Sequence, residues 1–151
     1  MVTIEKSYDL GRLGVIGMRG CEEITCKVNE HLKKFNEDNI DGNFETFIIP
    51  VNCPRFGTGE AKAMIMHSIR TYDIYIIMDA FNYGVTYNIY GQERPMSPDD
   101  HYQDLKRIIA AMGGKARRIT VIMPMLYEGR QHKRVARESL DCALMLQELS
   151  N

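Results

Sequence analysis

The chain has 151 residues, of which 44% are hydrophobic and 26% are charged, and its formal net charge is −1. Such a length and composition are typical of one soluble globular domain with a buried core. A net charge near zero provides no global field to attract nucleic acid or an anionic membrane, so any anion site must be local. We therefore expect no nucleic acid and no membrane among the partners.

Two further features indicate a cytoplasmic location. No apolar run approaches the roughly 20 residues that a membrane-spanning helix needs, and the first ten residues lack the apolar core of a signal peptide. The four cysteines form no CxxC pair and have no histidines at zinc-ligand spacing. We expect them to be free, buried thiols in a reducing compartment; they are Cys21, Cys26, Cys53 and Cys142.

The first half of the chain alternates apolar runs with polar turns. We predict a strand at Leu13–Met18, an amphipathic helix at Cys21–Phe35 and a second strand at Phe44–Val51. The loop Asn52–Gly59 follows. Residues 60–70 fit a strand or a helix equally well.

The second half begins with a clear strand at Tyr72–Ala80, followed by a long connection rich in Tyr, Asn and Gly at Asn82–Pro95. Ser97 is expected to cap a helix, with Pro98 at its first position, and Gly113–Gly114 is expected to end it. The predicted core face of this helix comprises Tyr102, Leu105, Ile108, Ile109 and Met112.

The last predicted elements are a strand at Ile119–Met123 and a helix at Val135–Leu149. The strand is a nearly continuous apolar run, which is typical of a parallel strand buried on both faces. The expected core face of the helix comprises Leu140, Ala143, Leu144, Leu146 and Leu149. Strands that alternate with helices over short links predict an α/β fold with a mostly parallel sheet.

Two loops could hold a ligand. The loop after Ile119–Met123 contains Arg130, Gln131, Lys133 and Arg134, and ligands of open α/β sheets bind beyond the carboxyl ends of the strands. Because guanidinium and ammonium groups suit phosphate, this loop is either an anion site or a solvated basic turn.

The second loop, Arg55–Glu60, places Phe56 beside two glycines. Glycines allow tight turning and close approach of a ligand, although the phosphate-binding motif GxxxxGK[ST] is absent. This loop is either a shelf on which a base could stack or a plain connection.

In these loops the chain resembles the ribose-phosphate diphosphokinase (PRPP synthetase) family. The sequence Pro124-x-x-Tyr127-x-x-Arg130-Gln131 resembles the family's P-x-x-x-Y-x-R-Q-D-[KR]; Arg55–Glu60 resembles R-F-x-[ND]-[GQ]-E; and Ser68-Ile69-Arg70 with Tyr72–Ile77 resembles S-[VI]-R-G-x-D-V-Y-[IV]. The order and spacing of the three motifs, which span residues 50 to 149, make a chance match improbable.

The resemblance implies a phosphoribosyltransferase-like domain with three α/β/α layers. Family members transfer diphosphate from ATP to ribose 5-phosphate with Mg²⁺, giving PRPP and AMP. Residues 1–151 would be the N-terminal domain, and the C-terminal catalytic domain, with its ribose-phosphate loop, would be absent. By itself the chain would then be inactive, with no catalytic residue and no metal ligand assigned to it.

The resemblance also assigns the site residues. Arg130 and Gln131 would contact ATP, and Lys133 and Arg134 would add positive field. The other loop would reach the adenine of ATP bound to a neighbouring subunit, so a homo-oligomer is expected, with Phe56 stacking on the base. Mg²⁺ would arrive with ATP. The full predicted set is Phe56, Thr58, Gly59, Glu60, Arg130, Gln131, Lys133 and Arg134.

The chain departs from the family pattern at several points, which leaves two alternatives. Thr58 stands where Asn or Asp is usual, His132 where Asp is usual, and Tyr127 lies three residues before Arg130 instead of two. Thr58 and His132 favour a non-catalytic relative that assembles with or regulates true synthetases. The other alternative is a stand-alone α/β binding module with an incidental likeness.

Overall fold

The computed structural model describes residues 11–39 and 45–150. Within them, strands β1, β4 and β7 form a parallel sheet in that spatial order, and β2–β3 and β5–β6 are antiparallel pairs. This arrangement confirms the predicted α/β class. The elements are β1 (Arg12–Gly17), α1 (Glu22–Asn39), β2 (Val51–Asn52), β3 (Met64–Ile65), β4 (Tyr72–Ile77), β5 (Thr86–Ile89), β6 (Gln92–Pro95), α2 (Pro98–Met112), β7 (Arg118–Ile122) and α3 (Asp141–Ser150).

Helices cover both faces of the parallel sheet. Successive side chains of a strand point to opposite faces. Accordingly, Ile16 and Ile76 belong to a large apolar cluster with the buried side of α2, whereas Val15 and Ile77 belong to a smaller cluster with Val28 of α1. The fold is therefore three-layered, with β4 in the middle of the sheet.

The boundaries of α2 follow the predicted signals. The Ser97 hydroxyl accepts a hydrogen bond from the Asp100 N–H (3.2 Å), and the Asp100 carboxylate accepts one from the Ser97 N–H (2.9 Å), which makes a capping box. At the other end Gly113 adopts the left-handed conformation (φ 54°). The predicted core face is buried, with Ile109 only partly so.

Strand β7 is parallel, as predicted, but the expectation that both its faces are buried is wrong. It pairs with β4 at one edge of the described sheet, and its end residues Arg118 and Ile122 are exposed. A run of β-branched residues suits any half-buried pleated surface and does not by itself require burial on two faces. Arg118 donates across the ladder to the Asp73 carboxylate (Nε–Oδ1 2.8 Å).

The predicted strand Phe44–Val51 is reduced to a short parallel contact. The Val15 N–H donates to the Phe47 carbonyl (2.8 Å), and the Ile49 N–H donates to the Val15 carbonyl (2.8 Å). Pro50 then interrupts the segment, since proline has no N–H to continue a ladder. Phe44 lies outside the described residues.

The connection Asn82–Pro95, predicted as a long loop, contains the β5–β6 hairpin. At its tip Tyr90 (φ 47°) and Gly91 (φ 79°) both have positive φ, as in a type I′ turn. All of β6 is exposed, so it lacks the apolar alternation from which a strand is predicted. The backbone ladder defines this hairpin.

The last helix starts six residues later than predicted. Val135 is 81% exposed and gains nothing from a helical face, and α3 begins only at Asp141. Its buried side chains are Cys142 and Met145, whereas the predicted core residues Leu144 and Leu146 are about half exposed (52% and 51%).

Two expectations about the cysteines and about membrane-spanning helices can be compared with the fold. All four cysteines are free, as predicted, but Cys26 is exposed and Cys53 is only half-buried. Among residues 11–39 and 45–150, no helix has the length and apolar character to span a bilayer.

Substituting Ser97→Ala removes the cap of α2, because alanine cannot accept the Asp100 N–H. We expect the free energy of unfolding to fall by about 1 kcal/mol, measured by urea denaturation. The exposed Ser68 provides the control Ser68→Ala, which should change stability by less than about 0.5 kcal/mol. Equal effects of the two substitutions would contradict the capping role.

Candidate functional site

Four predicted residues lie together in a compact turn. The Phe56 N–H donates to the Glu60 carbonyl (2.7 Å), and the Gly59 N–H donates to the Phe56 carbonyl (2.9 Å). Gly59 has φ 95°, a backbone conformation that glycine adopts easily and other residues rarely adopt. The Thr58 hydroxyl donates to the Glu60 carboxylate (2.8 Å), and the Phe56 ring is 55% exposed. The turn thus presents one aromatic ring beside two polar side chains.

The buried side chain of Arg55 anchors this turn to the rest of the domain. Its side chain is only 5% exposed. Nη1 donates to the Gly59 carbonyl (2.9 Å), Nη2 donates to the Asp104 carboxylate (2.8 Å), and the guanidinium carbon lies 4.4 Å from the centre of the Tyr87 ring. Arg55 was part of the recognised motif but was not among the predicted site residues. The structure shows it as the residue that connects the turn to α2 and to the hairpin.

The carboxylates beneath Arg55 are fully engaged. Asp104 also accepts from Arg107 (2.7 Å), and Asp100 accepts from the Tyr87 hydroxyl (3.2 Å). Burial acts to raise the pKa of Asp100, but hydrogen bonds from Ser97 and the charge of Arg55 outweigh it, so the pKa is lowered. Asp104 therefore balances the charge of a buried guanidinium.

Backbone contacts dock the hairpin onto the same turn. The Tyr90 N–H donates to the Gly57 carbonyl (3.1 Å). A Cβ built at Gly59 would lie 3.3 Å from Cδ1 of Ile89 and 3.8 Å from the Tyr87 ring. The turn Phe56–Glu60 and the hairpin therefore form one continuous surface, which the sequence did not reveal.

The second predicted group follows β7 and is held by Tyr127. This ring is buried, stacks on Tyr102 with centroids 4.6 Å apart, and donates through its hydroxyl to Asp99 (2.7 Å). Burial and the hydrogen bond to Asp99 raise the pKa of Tyr127, so the phenol stays protonated and keeps donating. The stacked pair fixes the start of the loop against α2.

The cations of this loop face solvent. Arg130, Lys133 and Arg134 are exposed, and no ion pair involves them in the described part of the chain. Gln131 differs, because it is half-buried and its side-chain amide donates to the Ser139 carbonyl (3.3 Å). The loop therefore offers three available cations, while Gln131 also connects the loop to the segment before α3.

The structure does not bring the two groups of predicted residues together within one chain. Arg55, beneath the turn, is bound by Asp104 of α2, whereas Tyr127, which positions the basic loop, is bound by Asp99. Across residues 45–150, no hydrogen bond, ion pair or ring contact joins Phe56–Glu60 to Arg130–Arg134. Each group has exposed side chains.

Comparisons with known proteins identify the family of this chain. A family model described as the N-terminal domain of ribose phosphate pyrophosphokinase matches residues 13–151. The fold is similar to that in a crystal structure of phosphoribosylpyrophosphate synthetase from Mycobacterium smegmatis, with a TM-score of 0.66 and 20% identity. The match covers 92% of this chain and 39% of that one. No curated protein sequence matches.

An identity of 20% supports the fold alone, whereas the family match covers nearly the whole chain and excludes an incidental likeness. The chain belongs to the family of the N-terminal domain of ribose phosphate pyrophosphokinase.

Proposed function

We propose that this chain is the ATP-binding, oligomerising half of a ribose-phosphate diphosphokinase, which forms PRPP and AMP from ATP and ribose 5-phosphate. The observation that carries the proposal is the loop of available cations directly after the carboxyl end of a parallel strand. Arg130, Lys133 and Arg134 are exposed there. Phosphoryl-type transfer depends on positioning and charge neutralisation, which such a loop supplies.

Phosphate would be held mainly by Arg130. Its planar guanidinium offers paired donors that match two phosphate oxygens, and Lys133 and Arg134 add charge without a fixed geometry. Because no carboxylate of the described chain neutralises these side chains, their field is available to an anion. Gln131 would contribute its remaining amide hydrogen or its carbonyl oxygen.

The adenine would be held by the turn of a neighbouring copy. Phe56 is exposed and planar, which suits stacking on a base, and Thr58 and Glu60 offer hydrogen-bonding groups for its edge. Gly59 supplies the left-handed backbone conformation of the turn, with its Cα facing Ile89 of the hairpin. Since the turn and the basic loop do not meet within one chain, two copies are needed to complete the site, which supports a homo-oligomer.

Magnesium does not fit a site made by these residues alone. Around the turn and the basic loop, Asp99, Asp100 and Asp104 are held by Tyr127, Ser97 and Arg55 respectively. In the described ranges, no group of three His, Cys, Asp or Glu side chains could hold a metal ion. Mg²⁺ would therefore come bound to the ATP phosphates.

Turnover is proposed to need more than these 151 residues. The chain spans 39% of the length of the solved synthetase that it matches. We propose that ribose 5-phosphate binds in another part of the full-length enzyme. The chain alone should bind ATP weakly and release no AMP.

A second candidate is a non-catalytic assembly or regulatory member of the family. Thr58 donates to the Glu60 carboxylate within its own turn (2.8 Å), which uses the only donor hydrogen of the hydroxyl. His132 lies with Nδ1 3.1 Å from the Gly129 carbonyl, where family members have Asp. An assay of PRPP formation by the full-length protein distinguishes the two candidates. A regulator makes no PRPP from ATP and ribose 5-phosphate, yet it changes the rate of an active synthetase.

The double substitution Arg130→Ala, Gln131→Ala should weaken ATP binding. Loss of charge-assisted hydrogen bonds costs about 1.5–3 kcal/mol each, so we expect the affinity to fall at least about tenfold. Isothermal titration calorimetry with ATP measures this effect. The control is Arg137→Ala, which removes an exposed cation of the same segment and should change the affinity less than about twofold. Unchanged ATP affinity in the double variant would disprove the site.

Removing the aromatic ring with Phe56→Ala should weaken ATP binding but leave binding of inorganic tripolyphosphate unchanged. Stacking of a base on an aromatic side chain contributes about 1–3 kcal/mol, and tripolyphosphate has no base to stack. The control is Met66→Ala, another exposed apolar side chain (64%), which should bind both ligands normally. A loss of tripolyphosphate binding equal to that of ATP would argue against a base-stacking role.

A further inference from the structure

We propose that Tyr90, at the tip of the β5–β6 hairpin, is a second aromatic contact for the nucleotide base and helps to determine base specificity. This inference rests on the proposed function, because the nucleotide is the one held by a neighbouring copy. Family resemblance did not assign Tyr90, since Asn82–Pro95 was expected to be an irregular connection.

Tyr90 is fixed directly beside the predicted shelf. Its N–H donates to the carbonyl of Gly57 (3.1 Å), the residue that follows Phe56. The two aromatic side chains therefore leave backbone segments that are in direct hydrogen-bonded contact. Further down the hairpin, the Tyr87 ring packs on the buried Arg55 guanidinium, 4.4 Å from its central carbon, so the hairpin is anchored and its tip is preorganised.

Among the described residues, the side chain of Tyr90 makes no hydrogen bond, ion pair or ring contact. It is 80% exposed, more than Phe56 at 55%. It also has φ 47°, a left-handed conformation that asparagine and glycine adopt more easily than tyrosine at a type I′ turn. A large aromatic ring at such a position costs stability and is expected where the ring has a function.

The backbone beside Tyr90 is uncrowded. A Cβ built at Gly57 or at Gly91 would meet no atom within 4 Å, so both backbone segments are open to close approach. Two exposed aromatic residues on neighbouring backbone segments, with the Thr58 hydroxyl and Glu60 carboxylate on the same turn as Phe56, suit a heteroaromatic base that has both a face and a polar edge. A purine of a nucleoside triphosphate is such a ligand.

The test uses Tyr90→Asn in the full-length protein. Asparagine suits the turn, so the melting temperature should not fall, whereas loss of the ring should weaken ATP binding about fivefold to one-hundredfold. Binding of inorganic tripolyphosphate should be unchanged, and Tyr90→Phe should bind ATP normally. Tyr83→Asn, a substitution of another exposed tyrosine (58%), is the matched control and should have no effect.

The outcomes separate this inference from the function on which it rests. If Arg130→Ala, Gln131→Ala abolishes ATP binding and Tyr90→Asn does not weaken it, the role of Tyr90 is disproved and the proposed function survives. Equal losses of ATP and tripolyphosphate binding in Tyr90→Asn, or dissociation of the oligomer in sedimentation equilibrium, would show an assembly contact and also overturn it. If the unsubstituted protein binds no ATP, the proposed function itself fails.

Discussion

The buried guanidinium of Arg55 is the interaction on which the candidate site depends. Removing one partner of a buried ion pair costs about 3–5 kcal/mol, because the other charge is left without compensation. Arg55 and Asp104 are 5% and 3% exposed, and the same guanidinium also holds the Gly59 carbonyl and packs on Tyr87. One side chain therefore couples the turn Phe56–Glu60, the hairpin and α2. The ring of Phe56 faces solvent because the residue before it is fixed inside.

Helix α2 holds both groups of predicted site residues. Its first turns bind Arg55 below the turn through Asp104, and they bind the start of the basic loop through Asp99, which accepts the hydroxyl of the buried Tyr127. In our account, a neighbouring copy supplies the missing half, and the oligomer is part of the binding site.

Local patterns in the sequence predicted much of the fold. Ser97, Pro98 and Gly113 mark the ends of α2 by backbone requirements that hold in any context, and the apolar runs of β1 and β4 mark a buried sheet. The hairpin was not predicted because β6 is wholly exposed, and the start of α3 was misplaced because residues 135–139 are all exposed. Residue types and positions singled out the turn and the basic loop, and the resemblance added roles for their residues, but neither gave a sign of the Arg55–Asp104 pair. That pair joins positions 49 residues apart, a distance that no local pattern reports.

Mixing two variants tests most directly whether the nucleotide site is shared between copies. Phe56→Ala keeps the basic loop, and Arg130→Ala, Gln131→Ala keeps the aromatic turn. When the two proteins are co-assembled from dissociated subunits, neighbours of opposite type restore complete sites at some interfaces. Our account predicts that the mixture binds ATP more tightly than either variant alone, as measured by equilibrium dialysis. ATP binding by the mixture that equals the average of the separate variants would contradict it.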